Sequence, residues 1–249
     1  MIISIASQKG GAGKTTTSLQ LAAGIGLQGK RVLLIDLDSQ ANSSKVLIPH
    51  YPDITKDQTM LVTIWDRQPI AIHESSFKNV WVAPAHILMS ETDLKLTTAM
   101  DHRESRLRDQ LVHIQDQYDH IIIDCPPALG WLTLNAFTAS EGLVIPIAPG
   151  YFELDSIVQI GKTLEIVQRD YNADLRLLGM LFTMSDPTVA SKTTLDVLRR
   201  TQGEHLLNTV IPRNTDIRDA HFNKVDIFTA SPNSKSAYAY TKLIEELGL

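Results

Sequence analysis

The sequence predicts a doubly wound α/β fold, with helices on both faces of a mainly parallel sheet of about seven or eight strands. Three observations support this prediction. Apolar runs of strand length alternate with helical patterns along all 249 residues. A glycine-rich loop joins the first apolar run to the first helix, and two later apolar runs end in aspartates. Because no repeat or linker interrupts the alternation, we expect a single domain over residues 1–249.

Each element follows from hydrophobic periodicity. Continuous apolar runs indicate parallel strands buried on both faces, and apolar residues three or four apart indicate helices. We expect strands at residues 2–6, 31–36, 80–84, 120–124, 143–147, 177–182 and 209–214, the last including a turn. We expect a first helix that begins near Thr15 and ends before Gly29, and further helices at residues 59–65, 90–118, 152–171, 193–202 and 234–247. The side chains expected to face the core are Leu94, Leu107, Leu111 and Ile114, and in the last helix Tyr238, Leu243 and Ile244.

The loop after the first strand is typical of a phosphate-binding loop. Gly10, Gly11 and Gly13 allow successive backbone N–H groups to point into one concavity, to which the following helix adds the positive end of its dipole. Lys14 would bring a positive charge to the outer phosphates, and the hydroxyl of Thr15 would bind Mg²⁺. The strand, turn and helix around these residues are the context that such a loop requires.

This loop has the deviant form of the motif. The strict pattern requires a glycine where this chain has Gln8, and an additional lysine, Lys9, comes directly before GGAGKTT. The competing explanation is a glycine-rich turn with an ordinary surface lysine. Lysine, glycines and paired threonines in register after a strand favour the phosphate-binding loop.

Aspartates follow two other predicted strands. Asp36 and Asp38 come at the end of the run at 31–36, and Asp124 follows three isoleucines. Because α/β sheets bind ligands at the carboxyl ends of their strands, we expect these carboxylates beside the glycine-rich loop. Mg²⁺ is usually held by one or two carboxylates together with phosphate oxygens, a role that fits Asp124. Turn formation is the alternative role of such aspartates.

Composition limits the classes of function. The chain is 43% hydrophobic, but no apolar run approaches the roughly 20 residues of a membrane span, and we expect no signal peptide. The single cysteine, Cys125, excludes an internal disulfide and indicates a reducing compartment. The net charge is −5, yet residues 190–249 carry eight Lys and Arg against seven Asp and Glu, whereas residues 1–189 carry 15 against 21. Any affinity for nucleic acid would therefore be local and sensitive to salt.

Together, these motifs resemble those of the ParA family of partition ATPases, which belongs with MinD to the deviant Walker A group. The likeness covers essentially the whole chain: residues 8–17, 34–38, 123–127 and 211–214 are similar to family motifs, and 103–107 and 129–136 to weaker ones. The resemblance implies an ATPase that dimerises when ATP is bound, binds DNA non-specifically and positions a cargo. Plasmids, chromosome origins and protein compartments such as carboxysomes are all cargoes of this family, and a ParB-like or adaptor protein would stimulate slow basal hydrolysis.

The resemblance also implies individual roles. Lys14 would bind phosphates in its own subunit, whereas Lys9 would reach the phosphates of the partner subunit. Asp38 would position or activate the attacking water, and it forms the expected Mg²⁺ site with Thr15 and Asp124. The residues expected to bind ATP are Gly10, Gly11, Ala12, Gly13, Lys14, Thr15 and Thr16 at the phosphates, and Met184, Pro212, Arg213 and Asn214 at the adenine, where plain packing is the alternative for Met184 and Pro212.

The chain departs from the family pattern at two places. In the segment after Asp38, where the family usually has a proline and a glycine, this chain has Ser39, Gln40, Ala41 and Asn42. Gly150 and Ser156 stand where many members have the glutamate and glycine that flank the region of Tyr151 and Phe152. These departures concern switching and partner contacts rather than nucleotide binding. Because the loop begins so close to residue 1, we expect no N-terminal helix-turn-helix extension and no specific operator binding.

Basic residues of the less acidic C-terminal part are the candidate DNA contacts, with solvated surface charge as the alternative. We expect a cytoplasmic protein that associates with the nucleoid in its ATP state and not stably with a membrane. The candidate contacts are Arg199, Arg200, Arg218, Lys224, Lys235 and Lys242.

Three other functions compete with this one. A MinD-like ATPase needs a terminal amphipathic helix with a basic face, whereas residues 242–249 are acidic. A metabolic ATP-dependent enzyme would need a second substrate pocket or cluster cysteines. A module that only senses nucleotide would not need both Lys9 and Asp38.

Overall fold

The strands in the described part of the chain form one eight-stranded sheet. The computed structural model describes residues 1–150 and 153–249. The order across the sheet is β3-β4-β2-β5-β1-β6-β7-β8, and every neighbouring pair is parallel except β3 with β4 at one edge. The predicted doubly wound, mainly parallel sheet is confirmed. The strands are β1 (Ile2–Ile5), β2 (Val32–Asp36), β3 (His73–Glu74), β4 (Val80–Ala83), β5 (His120–Asp124), β6 (Gly142–Ile147), β7 (Arg176–Ser185) and β8 (Leu206–Pro212).

Helices connect the strands and cover both faces of the sheet. Short 3₁₀ turns lie at Tyr51–Asp53, Lys56–Gln58, Ile87–Glu91 and Gln115–Gln117. The α-helices in the described residues are α1 (Lys14–Leu27), α2 (Asn42–Leu47), α3 (Met60–Asp66), α4 (Thr92–Thr97), α5 (Arg106–Leu111), α6 (Trp131–Ala139), α7 (Glu153–Asp170), α8 (Val189–Thr201), α9 (Thr215–Phe222), α10 (Ile227–Ala230) and α11 (Lys235–Leu247).

Two hydrophobic cores lie on opposite faces of the sheet. One contains side chains of α1 and of α9 to α11, and the other contains side chains of α3 to α8. Alternate strand residues point to opposite faces: Leu33 and Ile35 enter one core, and Val32 and Leu34 enter the other. Burial on both sides explains why these strands appear in the sequence as continuous apolar runs.

Strand register brings the predicted aspartates together. In the parallel pair of β2 and β5, Asp36 is the register partner of Asp124, and Ile5 of β1 lies opposite Asp124 on its other side. The loop between β1 and α1 therefore begins next to both strand ends. The carboxyl edge of the three central strands is where the sequence predicts the site.

The predicted helix over residues 90–118 is wrong, because the segment is broken into α4, α5 and two 3₁₀ turns. Arg103 explains the break: its guanidinium donates to the carbonyls of Leu96 and Thr97 at 3.1 and 2.7 Å, which satisfies the last turn of α4. Leu94, predicted to face the core, is instead 78% exposed, whereas Leu107 and Leu111 are buried as predicted.

One inward position in the last helix is also wrong. Tyr238 is 66% exposed, and Tyr240 is the buried tyrosine of α11. Tyr240 shares a face with Leu243 and Ile244, three and four residues later, whereas Tyr238 lies on the opposite side of the helix. The prediction chose the wrong member of an aromatic pair that is two residues apart.

The short elements α2, β3, α6, α9 and α10 have no counterpart among the predicted elements. They span between two and nine residues. Periodicity is weak over such lengths. The helix predicted at 152–171 exists as α7, and the departure around Tyr151 and Phe152 falls outside the described residues.

Two glycines in helices predict opposite effects of the same substitution. A Cβ on Gly26 of α1 would lie 2.4 Å from the carbonyl oxygen of Lys78, whereas a Cβ on Gly161 of α7 would meet nothing within 4 Å. We expect Gly26→Ala to lower the free energy of unfolding by about 1–3 kcal/mol through overpacking. Gly161→Ala is expected to raise it by about 0.5–1 kcal/mol through helix propensity. Urea unfolding of both variants measures these changes, and a shift in the same direction would contradict the prediction.

Among the described helices, none has the length and apolarity that crossing a bilayer requires.

Candidate functional site

The loop between β1 and α1 has the backbone conformation of a phosphate-binding loop. Gly11 and Gly13 have φ angles of +79° and +87°, in the left-handed region that glycine adopts without strain. Gly13 directly precedes α1, and its carbonyl accepts the N–H of Thr17 at 2.8 Å. The hydroxyl of Thr183, from the end of β7, donates to the carbonyl of Ala12 at 2.8 Å and fixes the far side of the loop.

Lys14 lies inside this loop rather than on the surface. The residue is only 6% exposed, and its ammonium donates to the carbonyl of Lys9 at 3.1 Å. Burial lowers the pKa of Lys14, and the nearby carboxylates of Asp124 and Asp38 act in the opposite direction. Lys9 itself is an exposed residue of the same loop. One lysine is thus turned into the site, and the other sits at its rim.

Asp124 is buried at the end of β5 with one oxygen satisfied and one not. The hydroxyl of Ser43 donates to its Oδ2 at 2.7 Å. The hydroxyl of Thr15, the second residue of α1, lies beside the same carboxylate. Its Oδ1 is buried and has no hydrogen-bond partner among the described residues. A buried carboxylate oxygen without a partner, next to a threonine hydroxyl at a phosphate-type loop, fits the donor set of a Mg²⁺ site.

Asp36 and Asp38 have different surroundings. Asp36 is fully buried, and its Oδ2 accepts the N–H and the hydroxyl of Ser44 at 2.9 and 2.7 Å. The N–H of Asp38 donates to the other oxygen of Asp36 at 3.1 Å. Asp38 is partly exposed, and its own Oδ1 accepts the N–H of Gln40 at 3.0 Å. Asp36 therefore supports the loop that carries Asp38, and Asp38 is the aspartate that bound molecules can reach.

Burial is the largest cause of the pKa shifts in this cluster. It raises the pKa of Asp36 to about 8, together with the neighbouring charge of Asp124, against three hydrogen bonds that favour the carboxylate. It raises the pKa of Asp124 to about 6, which the hydroxyls of Ser43 and Thr15 partly oppose. Without a cation, the cluster therefore holds protons that isolated carboxylates would have lost.

This proton binding predicts a pH dependence of stability. Between an ordinary aspartate pKa of 3.8 and about 8, folded Asp36 keeps a proton that the unfolded chain has released. Because the folded state binds more protons, the free energy of unfolding should fall as the pH rises through this window. Asp36→Asn removes this contribution, so the difference between wild type and variant should change with pH. Urea unfolding of both proteins from pH 4 to 8, without nucleotide or magnesium, measures this difference. A difference in free energy of unfolding that stays constant with pH would contradict the prediction.

A cavity of about 330 Å³ opens beside the loop, next to Gly13 and Thr16. The four residues predicted to contact adenine, Met184, Pro212, Arg213 and Asn214, all line it. A mainly apolar lining with a few polar groups suits a flat heteroaromatic ring. The residues that complete the lining are Thr183, Ile211, Ile217, Arg218, His221 and Tyr240.

Comparisons with known proteins agree with this geometry. An AAA domain family model matches residues 1–177. The sporulation initiation inhibitor protein Soj of Bacillus subtilis is 36% identical over 249 residues, which cover 99% of this chain and 97% of that protein. The chromosome partitioning protein ParA of Myxococcus xanthus is 34% identical over 249 residues, with 99% and 87% covered. This chain belongs to the ParA family of partition ATPases.

A solved structure shares the fold of this ParA-family chain. It is cobyrinic acid a,c-diamide synthase from Mycobacterium smegmatis with a bound ATP analogue and magnesium. The TM-score is 0.80 at 29% identity, and the alignment covers 98% of this chain and 92% of the other.

Several residues that contact the site or its cavity lie outside the ParA-family motifs. Ser43 and Ser44 contact the two buried aspartates, and Thr183 holds the loop from a strand far away in the sequence. Behind His221, which lines the cavity, the amide oxygen of Gln20 accepts the N–H of Ile227 at 3.0 Å, so the amide nitrogen of Gln20 donates to His221 Nε2, also at 3.0 Å. Burial lowers the pKa of His221 to about 4, which keeps this ring neutral. No sequence motif marks these residues.

The segment after Asp38, residues 39–42, departs from the ParA pattern and forms a strained turn. Ala41 has a φ angle of +52°, a left-handed conformation that favours glycine, and its N–H donates to the carbonyl of Asp38 at 2.8 Å. At the second departure, the N–H of Gly150 donates to the hydroxyl of Thr194 at 3.3 Å.

The six candidate DNA contacts of this ParA-family chain are divided between the two faces of the sheet. Arg199 and Arg200 lie on α8, which packs on one core, whereas Lys235 and Lys242 lie on α11, which packs on the other. Lys242 pairs with Glu245 at 2.6 Å. Two candidates have other neighbours: Arg218 lines the cavity, and the Lys224 ammonium donates to the carbonyl of Pro49 at 2.8 Å.

Proposed function

We propose that this protein is a Mg²⁺-dependent ATPase whose ATP-bound form dimerises, binds DNA non-specifically and positions a cargo. The observation that carries the proposal is the convergence of Lys14, Thr15, Asp38 and Asp124 at the carboxyl edge of three neighbouring strands. Their surroundings differ as the chemistry requires. A buried cation and a buried carboxylate lie deep in the site, and an accessible carboxylate lies at its entrance.

ATP occupies the loop and the neighbouring cavity. The backbone N–H groups of residues 10–16 and the ammonium of Lys14 bind the phosphates, and the cavity lined by Met184 and Pro212 receives the adenine. Thr15 and Asp124 hold Mg²⁺, which when bound offsets negative charge on the phosphates. In the described part of the chain, no three His, Cys, Asp or Glu side chains converge on a metal position. Phosphate oxygens and water would supply the other Mg²⁺ ligands.

The remaining charged residues act on the transferring phosphoryl group. Asp38 accepts a hydrogen bond from the attacking water and orients it toward the terminal phosphate. Lys9, at the rim of the loop, reaches the phosphates of the partner subunit and stabilises their charge in the manner of an arginine finger. Because each site then needs the other subunit, hydrolysis by the isolated protein is slow.

The ATP dimer doubles the number of basic contacts to DNA, which makes non-specific binding dependent on nucleotide and salt. A ParB-like or adaptor protein on the cargo stimulates hydrolysis and releases the dimer from the nucleoid. The packing of α11 argues against α11 itself acting as a MinD-like membrane anchor, because its apolar face with Tyr240, Leu243 and Ile244 is buried in the core.

The deciding experiment measures binding to random-sequence duplex DNA with ATP, with ADP and without nucleotide, at two salt concentrations. Lys9→Ala and Lys14→Ala are measured in parallel. We expect binding only with ATP, weakened by salt and lost in both variants. Intact ATP hydrolysis without DNA binding in any state would contradict the proposal and favour a membrane-associated or metabolic role.

A further inference from the structure

The first turn of α2 is attached to both buried aspartates of the site. Ser43 donates its hydroxyl to Asp124 Oδ2 at 2.7 Å, and the next residue, Ser44, donates its N–H and hydroxyl to Asp36 Oδ2. Ser43, Ser44, Asp36 and Asp124 are all 0% exposed. Two consecutive serines thus connect the loop after β2 to the ends of two parallel strands.

The turn that carries Ser43 is held in place by several independent contacts. The hydroxyl of Ser44 also accepts the N–H of Ala85 at 3.0 Å, which attaches the same turn to the segment after β4. On the other side, the N–H of Ala41 donates to the carbonyl of Asp38 and closes the turn before α2. Ser43 therefore has little freedom to move away from Asp124.

The contact leaves one carboxylate oxygen for another ligand. With Oδ2 bound to Ser43, the buried Oδ1 of Asp124 has no hydrogen-bond partner among the described residues, and Thr15 lies beside this carboxylate. A carboxylate held through one oxygen cannot rotate freely about its last bond. Its free oxygen is consequently presented in one orientation.

We infer that Ser43 is a positioning residue for magnesium: it orients Asp124 so that Oδ1 faces the ion, and it couples this carboxylate to the loop that carries Asp38. The inference rests on the proposed Mg²⁺–nucleotide site and adds a residue that contacts neither nucleotide nor phosphate. Outer-shell hydrogen bonds of this kind typically change metal affinity by about 10–100-fold. A serine needed only for packing would leave the response to magnesium unchanged.

The test measures binding of a fluorescent ADP analogue while Mg²⁺ is titrated, with no hydrolysis required. Mg²⁺ should increase the affinity for the analogue. We expect Ser43→Ala to raise the Mg²⁺ concentration that gives half of this increase by at least about tenfold. Its affinity for the analogue in EDTA should stay at the wild-type value. Ser43→Thr, which keeps the hydroxyl, should restore most of the wild-type response to magnesium.

Ser105→Ala is the matched control, because Ser105 is also buried and donates its hydroxyl to a carboxylate, Asp109 Oδ2, at 3.1 Å on a different helix. It should leave the magnesium response unchanged. A wild-type response in Ser43→Ala, or an equal loss in EDTA, would overturn the inference but not the proposed function. A wild-type protein whose nucleotide affinity ignores Mg²⁺ would instead contradict the proposed function itself.

Discussion

Replacing Lys14 with alanine is expected to weaken binding of both ATP and ADP by about 10²–10³-fold. Lys14 is 6% exposed, and its ammonium donates to the carbonyl of Lys9 at 3.1 Å. At an effective dielectric constant of about 20, two unit charges about 4 Å apart attract each other by about 4 kcal/mol. Removal of the charge loses that attraction, and alanine also leaves space in a buried position. Isothermal titration with each nucleotide measures the loss.

A lysine on the surface provides the control for this substitution. Lys162→Ala on α7 removes an exposed ammonium and should leave both affinities at their wild-type values. Lys9→Ala should still bind ATP and ADP as a single subunit, because Lys9 lies at the exposed rim of the loop. Nucleotide affinity close to that of wild type in Lys14→Ala would show that the loop does not bind phosphate.

Replacing Asp38 with alanine is expected to lower the rate of ATP hydrolysis by about 10²–10⁴-fold while ATP binding persists. Asp38 is the accessible carboxylate of the site, and the N–H of Gln40 holds its Oδ1 at 3.0 Å. Without it the attacking water loses its oriented acceptor, whereas the phosphate contacts of Lys14 remain. The measurement is release of phosphate over time, together with the affinity for a non-hydrolysable ATP analogue.

The two roles expected of Asp38 give different results in this experiment. If Asp38 orients water, the magnesium requirement for binding the analogue stays unchanged. If Asp38 instead belongs to the Mg²⁺ site, that requirement rises. Asp57→Ala, which removes an exposed carboxylate after α2, should affect neither quantity. Hydrolysis by Asp38→Ala at the wild-type rate would exclude the water-orienting role, and a wild-type rate together with an unchanged magnesium requirement would exclude both roles.

Local sequence patterns were sufficient for most of the fold and for the phosphate-binding loop. A strand buried on both faces is apolar along nearly its whole length, so β1, β2, β5 and β6 could be located from continuous apolar runs in the sequence. Gly11 and Gly13 adopt positive φ angles that few other residues tolerate, so the loop is visible in the order of its residues. Patterns failed where a side chain overrides periodicity, as Arg103 does when it ends α4.

The DNA contacts show a different limit. Sequence identifies the basic residues but not the surface that they share. The structure places Arg218 at the cavity and ties Lys224 to the carbonyl of Pro49. A DNA-binding surface is assembled from segments that are distant in the sequence. The assignment of the basic residues that contact DNA therefore stays a prediction.

The sequence by itself determined the α/β class, the strand–loop–helix unit typical of a phosphate-binding loop and the presence of carboxylates at strand ends. Only the tertiary structure distinguished the three aspartates: Asp36 supports the loop, Asp38 is accessible, and Asp124 is buried with one free oxygen. The physical reason is separation along the chain. The contact from Ser43 to Asp124 joins residues 81 positions apart, and the one from Thr183 to Ala12 joins residues 171 apart. Local patterns carry no information about such pairs, because only the folded sheet brings them within hydrogen-bonding distance.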